Sequence, residues 1–194
     1  MQGSKITLSP AELALFCNAE IILTKNRIIQ KTIQLLAEVQ DEITAIQNPN
    51  FAPTPKISKG ENYLGLPYVV LDYPRISKGE DLFFIRSMFW WGNFFSSTLQ
   101  LAGQYKEKSI DKLIAAYETL AAQNFFIGIH EDPWQHHFEE TNYSAISSLS
   151  KKQYEEILQQ QSHIKIAARW PLSEWDRAAG LLTDSWRTLV GLIA

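Results

Sequence analysis

The sequence predicts an α+β fold with a mostly antiparallel sheet. Three features support this class: an apolar stripe at helical spacing near the N-terminus, a central series of β-forming segments, and an amphipathic helix at the C-terminus. Because the strands cluster before they alternate with helices, hairpin pairing is favoured over parallel crossovers. We expect a single domain over residues 1–194, with a helical segment at 10–47 and the sheet with its helices at 63–194.

The N-terminal segment opens with a helix-start signal. In Ser9-Pro10-Ala11-Glu12, serine can cap the helix, proline takes its first position and glutamate completes a capping box. The helix start and the apolar stripe that follows it predict one long helix, or two helices broken near Lys25-Asn26. We expect this helical segment to pack on its own domain or to pair in a homodimer. Cys17 within it is interpreted as a small buried hydrophobic residue. The apolar stripe repeats every seven residues, at Leu15, Ile22, Ile29, Leu36 and Ile43.

Strand signals fill the centre of the chain. Residues 48–62 contain three prolines and one glycine and are interpreted as a loop. Residues 68–73 predict a strand, and 82–91 with 94–102 predict a hairpin that turns at Trp91-Gly92-Asn93. The later predicted elements are a helix at 111–123, strands at 125–130 and 163–170, a polar helix at 150–161, and a closing amphipathic helix from Ser173 that packs on the sheet.

The composition excludes several classes of function. A net charge of −3 leaves no basic excess to neutralise phosphates, so we expect no nucleic-acid partner. No run approaches the roughly eighteen apolar residues that a spanning helix needs, so we expect no membrane association. A single cysteine and a polar N-terminus without a signal core favour the cytoplasm.

The common catalytic motifs are missing from the sequence. It contains no glycine-rich dinucleotide fingerprint, no phosphate-binding loop and no nucleophile elbow. His130-Glu131 matches the first two positions of the H-E-x-x-H zinc motif, but Trp134 stands at the fifth and Pro133 would break the required helix. We therefore favour a non-catalytic domain that binds a small ligand or another protein.

Histidines and acids concentrate at residues 130–140. This stretch contains His130, His136 and His137 together with four carboxylates. Histidine and carboxylate bind zinc, iron and manganese, so a divalent metal site is one hypothesis. It leads to the alternative function, a metal-assisted or His/carboxylate hydrolase with His130 as base or ligand. The simpler interpretation, which we favour, is a polar surface loop.

The strand predicted at 82–91 carries a charge among apolar residues. Because both faces are largely apolar, we predict that the strand is central and that Arg86 needs a partner. An ion pair with Asp72 is favoured over an anion pocket that Arg86 would share with Arg169 and His130. Alternation places Phe84, Arg86, Met88 and Trp90 on one face, and Phe83, Ile85, Ser87, Phe89 and Trp91 on the other.

Aromatic residues surround the same strands. Tyr73 and Trp90 are candidate walls of a ligand pocket with Arg86 and Arg169 at its polar end, suited to a small anionic or aromatic ligand. Trp90 and Trp91 are adjacent and point to opposite faces, so one is expected to reach a cavity, a second layer or a partner. An exposed apolar patch around either residue would indicate a structural subunit of an assembly.

Overall fold

The computed structural model of the chain describes residues 5–46 and 54–193. Within them, seven strands form one sheet in which every neighbouring pair is antiparallel. The predicted α+β class is therefore confirmed. The strands are β1 (Lys56–Tyr63), β2 (Leu66–Lys78), β3 (Asp81–Trp90), β4 (Phe94–Ala102), β5 (Phe126–Gly128), β6 (Tyr143–Ala145) and β7 (His163–Pro171), in the spatial order β1-β2-β3-β4-β7-β5-β6.

Helices cover one face of this sheet. The helices of the described residues are α1 (Pro10–Phe16), α2 (Ala19–Ala45), α3 (Gln104–Ala115), α4 (Tyr117–Ala122), α5 (Lys151–Gln160) and α6 (Ala178–Gly191), of which α1 buries no residue. The stripes of α2 and α6 meet the sheet in the main core, so the predicted packing of the C-terminal helix is confirmed. Leu36, Val39 and Ile43 of α2 and Leu182, Trp186 and Leu189 of α6 are fully buried there. No helix in the described ranges is long and apolar enough to cross a membrane.

The central hairpin also agrees with the sequence prediction. β3 pairs with β2 on one side and with β4 on the other, and the chain turns at residues 91–93. Ile85 and Phe89 face the helices, whereas Met88 and Trp90 belong to a smaller apolar cluster on the opposite face. Trp91 packs against the main core, so the two adjacent tryptophans do point to opposite faces.

The N-terminal helical segment breaks earlier than predicted. The break lies between Phe16 and Ala19 and not near Lys25-Asn26. The side chain of Asn18 accepts a hydrogen bond from the backbone N–H of Glu20 at 3.1 Å and caps α2. Asparagine is a strong capping residue, and this cap starts a second helix within the continuous apolar repeat.

The predicted loop at 48–62 is wrong from residue 56 onwards, where β1 pairs with β2. The part of this prediction up to residue 53 lies outside the described residues. Gly60 fits within the strand because the ring of Tyr68 occupies the place of a side chain; a Cβ at this position would lie 2.4 Å from the ring. Turn-forming residues therefore do not end this strand, because pairing with β2 outweighs their local preference.

Two later helices start at different residues from those predicted. The helix expected at 111–123 begins at Gln104 and is interrupted at Ala116. The carboxylate of Asp81 accepts the backbone N–H of Gln104 at 2.9 Å, so the cap comes from a residue distant in sequence. The closing helix begins with a 3₁₀ turn at Leu172–Arg177, and α6 starts only at Ala178, because Glu174 has a non-helical backbone.

The second face of the sheet is covered by residues 129–142, here called the covering segment, which connects β5 to β6. Phe138 of this segment packs on an apolar cluster formed by Val70, Met88, Trp90 and Phe94. The same face also carries most of the charged side chains that the sequence analysis singled out. The layer between the sheet and the covering segment therefore contains the candidate functional site.

Candidate functional site

Arg86 lies at the centre of the second face. Its Nε donates to Asp72 Oδ1 at 2.7 Å, and its Nη2 donates to Asp72 Oδ2 at 2.9 Å. Strand pairing explains this bidentate contact, because Asp72 and Arg86 stand directly opposite each other on β2 and β3. The remaining Nη1 donates to His136 Nε2 at 2.9 Å. The Asp72–Arg86 ion pair expected from the sequence is therefore present, and it extends to a histidine of the covering segment.

His136 is held from two sides. Its backbone N–H donates to the hydroxyl of Tyr63 at 2.6 Å, and that hydroxyl also accepts the N–H of His137 at 3.1 Å. The side chain accepts a hydrogen bond from Arg86, which can only donate, so the ring must be neutral with its own hydrogen on Nδ1. Burial lowers the pKa of His136 well below its usual range, and the charges of Arg86 and Lys165 lower it further.

Lys165 is the second cation under the covering segment, and only 1% of its surface is exposed. Its Nζ donates to the carbonyl of Gln135 and, at 3.2 Å, to Asn142 Oδ1, and it lies 4.6 Å from the centre of the Tyr143 ring. Burial lowers the pKa of Lys165 to about 8. Gly128 makes room for this side chain, since a Cβ there would lie 2.7 Å from Lys165 Cβ.

These contacts make the layer a polar anchor for the covering segment. Arg86 binds a side chain of the segment, Lys165 binds the carbonyl of Gln135, and the Gln100 amide donates to the carbonyl of Pro133. Asn142 closes the segment on itself by donating to the carbonyl of His137 at 2.5 Å. Donors on the sheet therefore form hydrogen bonds to backbone carbonyls of the covering segment. The polar backbone groups of a buried loop need such partners.

The four residues predicted to bind a ligand are not all brought together. Arg86 and Trp90 share the second face, where Trp90 Nε1 donates to the carbonyl of Tyr63 at 3.1 Å. Arg169 lies on that face too, with its guanidinium over the rings of Phe126 and Phe138. Tyr73 lies on the helical face, stacked on Trp186. The ligand pocket stays a prediction, and Tyr73 lies apart from the other three residues.

The three candidate metal ligands occupy different positions in the covering segment. His136 binds Arg86, while His130 Nδ1 accepts the backbone N–H of Asp132 at 2.9 Å. The Nδ1 of His137 is 3.9 Å from a carboxylate oxygen of Glu139. Among residues 5–46 and 54–193, no three His, Cys, Asp or Glu side chains are arranged to hold a metal ion.

A cleft of about 570 Å³ lies at the ends of β4 and β7. Its walls include His163, Ser162, Lys106 and Pro133. Burial lowers the pKa of His163, and the neighbouring charges of Lys165 and Asp132 act on it in opposite directions. The sequence did not point to His163, because a histidine that opens a strand carries no local signal of a cleft formed by distant residues.

Exposed apolar side chains concentrate elsewhere, on the N-terminal arm, defined here as residues 5–28. Ile29 is the first buried residue of the described chain, and α1 buries none. Cys17, predicted to be buried, is exposed because the arm extends beyond the sheet and its helices. Eight of the eleven exposed large apolar side chains among the described residues belong to the arm: Ile6, Leu8, Leu13, Leu15, Phe16, Ile21, Ile22 and Leu23.

The sequence did not separate the arm from the core, because the apolar repeat of the arm is continuous with that of the core. Leu15 and Ile22 follow the same seven-residue spacing as Ile29, Leu36 and Ile43, yet only the last three are buried. A helical pattern marks which face is apolar, but the length of the sheet determines how much of that face is covered.

The chain matches no known protein family, no curated protein and no solved structure.

Proposed function

We propose that this protein is a non-catalytic interaction domain that binds another protein chain through its N-terminal arm. The observation that carries this proposal is the concentration of exposed apolar side chains on the arm, where Phe16 is 81% and Ile22 58% exposed. Single exposed apolar residues are ordinary, but a contiguous apolar surface marks an interaction site.

The arrangement of these side chains strengthens the argument. Ile21, Ile22 and Leu23 are consecutive, so at about 100° per residue they point to three sides of the helix. An exposed helix whose apolar side chains lie on several sides offers more than one face to a partner. Full burial of one such side chain gains roughly 1.5–3 kcal/mol, so a partner that covers several of them gains a large free energy.

The second face supports a scaffold role for the rest of the molecule. The cations of Arg86 and Lys165 are already bound by groups of the chain itself. An open anion pocket would require those donors to face a ligand. The sheet and covering segment therefore serve, in this proposal, as a rigid body that presents the arm.

The test is affinity purification of the tagged chain from lysate of its native host. We expect the wild type to retain a stoichiometric protein partner, either a second copy or a different chain, and the Phe16→Asp/Ile22→Asp variant to lose it. The matched control is Gln30→Asp/Gln34→Asp, which adds the same charges at exposed polar positions of α2. Identical sets of bound proteins for all three chains would overturn the proposal.

A second candidate function is the hydrolase, and the cleft beside His163 is the observation that favours it. In this alternative His163 joins His130 as acid or base, with Asp132 as the nearby carboxylate. Turnover of ester or phosphoester substrates that is lost in both His163→Ala and His130→Ala, with folding intact, would support it. Turnover that survives both substitutions would exclude these residues.

A further inference from the structure

We infer that the partner of the N-terminal arm is a second copy of this chain, and that two arms pair antiparallel about a two-fold axis near Ile22. The inference rests on the proposed function, and it adds the identity of the partner and the geometry of the contact.

The C-terminal part of the arm, residues 19–28, continues a packed helix. α2 runs without interruption from Ala19 to Ala45, and its buried residues begin only at Ile29. About ten residues of helix, or roughly 15 Å, therefore extend beyond the core. Lys25 links this extension to the sheet, because its ammonium binds the carboxylate of Glu61 on β1. A surface held in place before binding loses little conformational freedom on association.

The charges of the arm favour a two-fold antiparallel contact. Its acids, Glu12 and Glu20, lie in the N-terminal half, and the bases Lys25 and Arg27 lie in the C-terminal half; Lys5 precedes the helices. An antiparallel pair places the acidic half of one arm against the basic half of the other, whereas a parallel pair in register would oppose like charges. A contact about a two-fold axis is satisfied by the same complementary surface on both copies.

Within one chain, Arg27 already binds the carboxylate of Glu20 seven residues earlier, and both side chains are more than half exposed. The same two groups can therefore exchange partners across the axis without removing a buried charge from its counter-ion. Next to the axis, Ile22 would meet its own copy. This central apolar contact flanked by charges has the anatomy of a protein interface.

The exposed area suits a dimer. A stable interface buries roughly 800 Å² on each partner. The eight leucine, isoleucine and phenylalanine side chains of the arm are exposed to between 43% and 87%, and those that face the axis contribute apolar area to such an interface. The contact would cover the apolar sides of α1 and α2 at once, because α1 precedes α2 by only two residues.

Sedimentation velocity over a range of concentrations tests the inference on the full chain. We expect the sedimentation coefficient of the wild type to correspond to twice the 22.2 kDa mass of one chain. The Phe16→Asp/Ile22→Asp variant should weaken association by more than about tenfold, and Gln30→Asp/Gln34→Asp should leave it unchanged. Circular dichroism shows whether each variant is folded, and Leu23→Asp serves as a second arm variant should the double variant unfold.

Cross-linking tests the orientation, because Cys17 is the single cysteine and is exposed. An antiparallel pair centred near Ile22 separates the two Cys17 residues but brings Cys17 of one copy close to position 26 of the other. Wild type mixed with Cys17→Ser/Asn26→Cys should therefore give the mixed dimer with a short bismaleimide. Efficient coupling of Cys17 to its own copy in the wild type would show a parallel contact and overturn the orientation.

A monomeric wild type at every concentration, or a dimer unaffected by arm substitutions, would overturn the inference. The proposed function is decided separately by the affinity purification. A different protein that binds the wild type and control but not the arm variant would leave the proposed function standing with another partner. A monomer that retains no partner would remove both.

Discussion

At the scale of single residues, the second face of the sheet contains one arginine, Arg86, that binds two partners. Arg86 and Asp72 are largely buried, with 16% and 11% of their side chains exposed, so each needs the other to offset its desolvation. The neutral ring of His136 takes the remaining guanidinium nitrogen. Sequence reasoning found Arg86 and Asp72 because alternation fixed their face, but it could not find the contact with His136, which depends on the path of an irregular segment.

Removing one member of the ion pair should cost more than removing both. Arg86→Met leaves a buried carboxylate without its counter-ion, and we expect the free energy of unfolding to fall by about 3–5 kcal/mol. The double variant Arg86→Met/Asp72→Leu should recover most of this loss, because no buried charge remains. Urea unfolding of the wild type, both single variants and the double variant measures the coupling; additive losses would contradict it.

Protonation of His136 should destabilise the fold. Because its pKa is lowered in the folded state, the unfolded chain binds the proton first as the pH falls below its unperturbed value of about 6.5. The free energy of unfolding should then decrease by up to about 1.4 kcal/mol per pH unit for this group. Stability attributable to His136 is thus present above pH ~6.5 and is lost on acidification.

Urea unfolding between pH 7.5 and 5.5 measures this dependence. His136→Gln keeps an acceptor for Arg86 but cannot be protonated, so its profile should be flatter than that of the wild type. His163, whose pKa is also lowered by burial, contributes a slope of the same sign, and His163→Gln is the matched control. An unchanged slope in His136→Gln would show that another group carries the effect.

At the scale of secondary structure, the elements that follow a local pattern were predicted well and those set by distant residues were not. The hairpin of β3 and β4 is determined by alternation and by a turn at Gly92, both readable in sequence. The start of α3 depends on Asp81, which lies on another strand. β1 forms because β2 lies beside it, even though its own residues favour a turn.

The hydroxyl of Tyr63 contacts the covering segment at its midpoint. Tyr63→Phe removes the acceptor of two backbone N–H groups, those of His136 and His137. An unsatisfied buried donor costs about 1–3 kcal/mol, so we expect the amides of residues 129–142 to exchange hydrogen faster than in the wild type. Hydrogen-exchange mass spectrometry measures this change. Tyr68→Phe is the control on the neighbouring strand, and equal protection in both variants would contradict the role of Tyr63.

At the scale of the whole molecule, the apolar repeat of the N-terminal segment serves two surfaces. Its C-terminal part, from Ile29 onwards, completes the core, and its N-terminal part remains exposed. The sequence analysis left open whether the stripe packs on its own domain or pairs in a dimer. The boundary between the two parts is set by where the sheet ends, which is a property of the assembled fold and has no local signature.

Pairing of the arms predicts that thermal stability depends on protein concentration. Association stabilises the folded chain by mass action, so the melting temperature of the wild type should rise with concentration. The Phe16→Asp/Ile22→Asp variant should melt at the same temperature throughout a concentration series, whereas Gln30→Asp/Gln34→Asp should follow the wild type. Differential scanning calorimetry measures both, and a wild-type melting temperature independent of concentration would contradict the pairing.

The sheet holds the covering segment mainly through hydrogen bonds to the backbone of that segment. Lys165 and Gln100 bind carbonyl groups and Tyr63 binds two N–H groups of the segment. Arg86 and Lys165 also bind two of its side chains, those of His136 and Asn142. Glu131, Glu139 and Glu140 are exposed on the same segment. The outward surface of residues 129–142 can therefore change its chemistry while the path of the backbone is preserved, which makes it a natural position for grafting a short recognition sequence onto this fold.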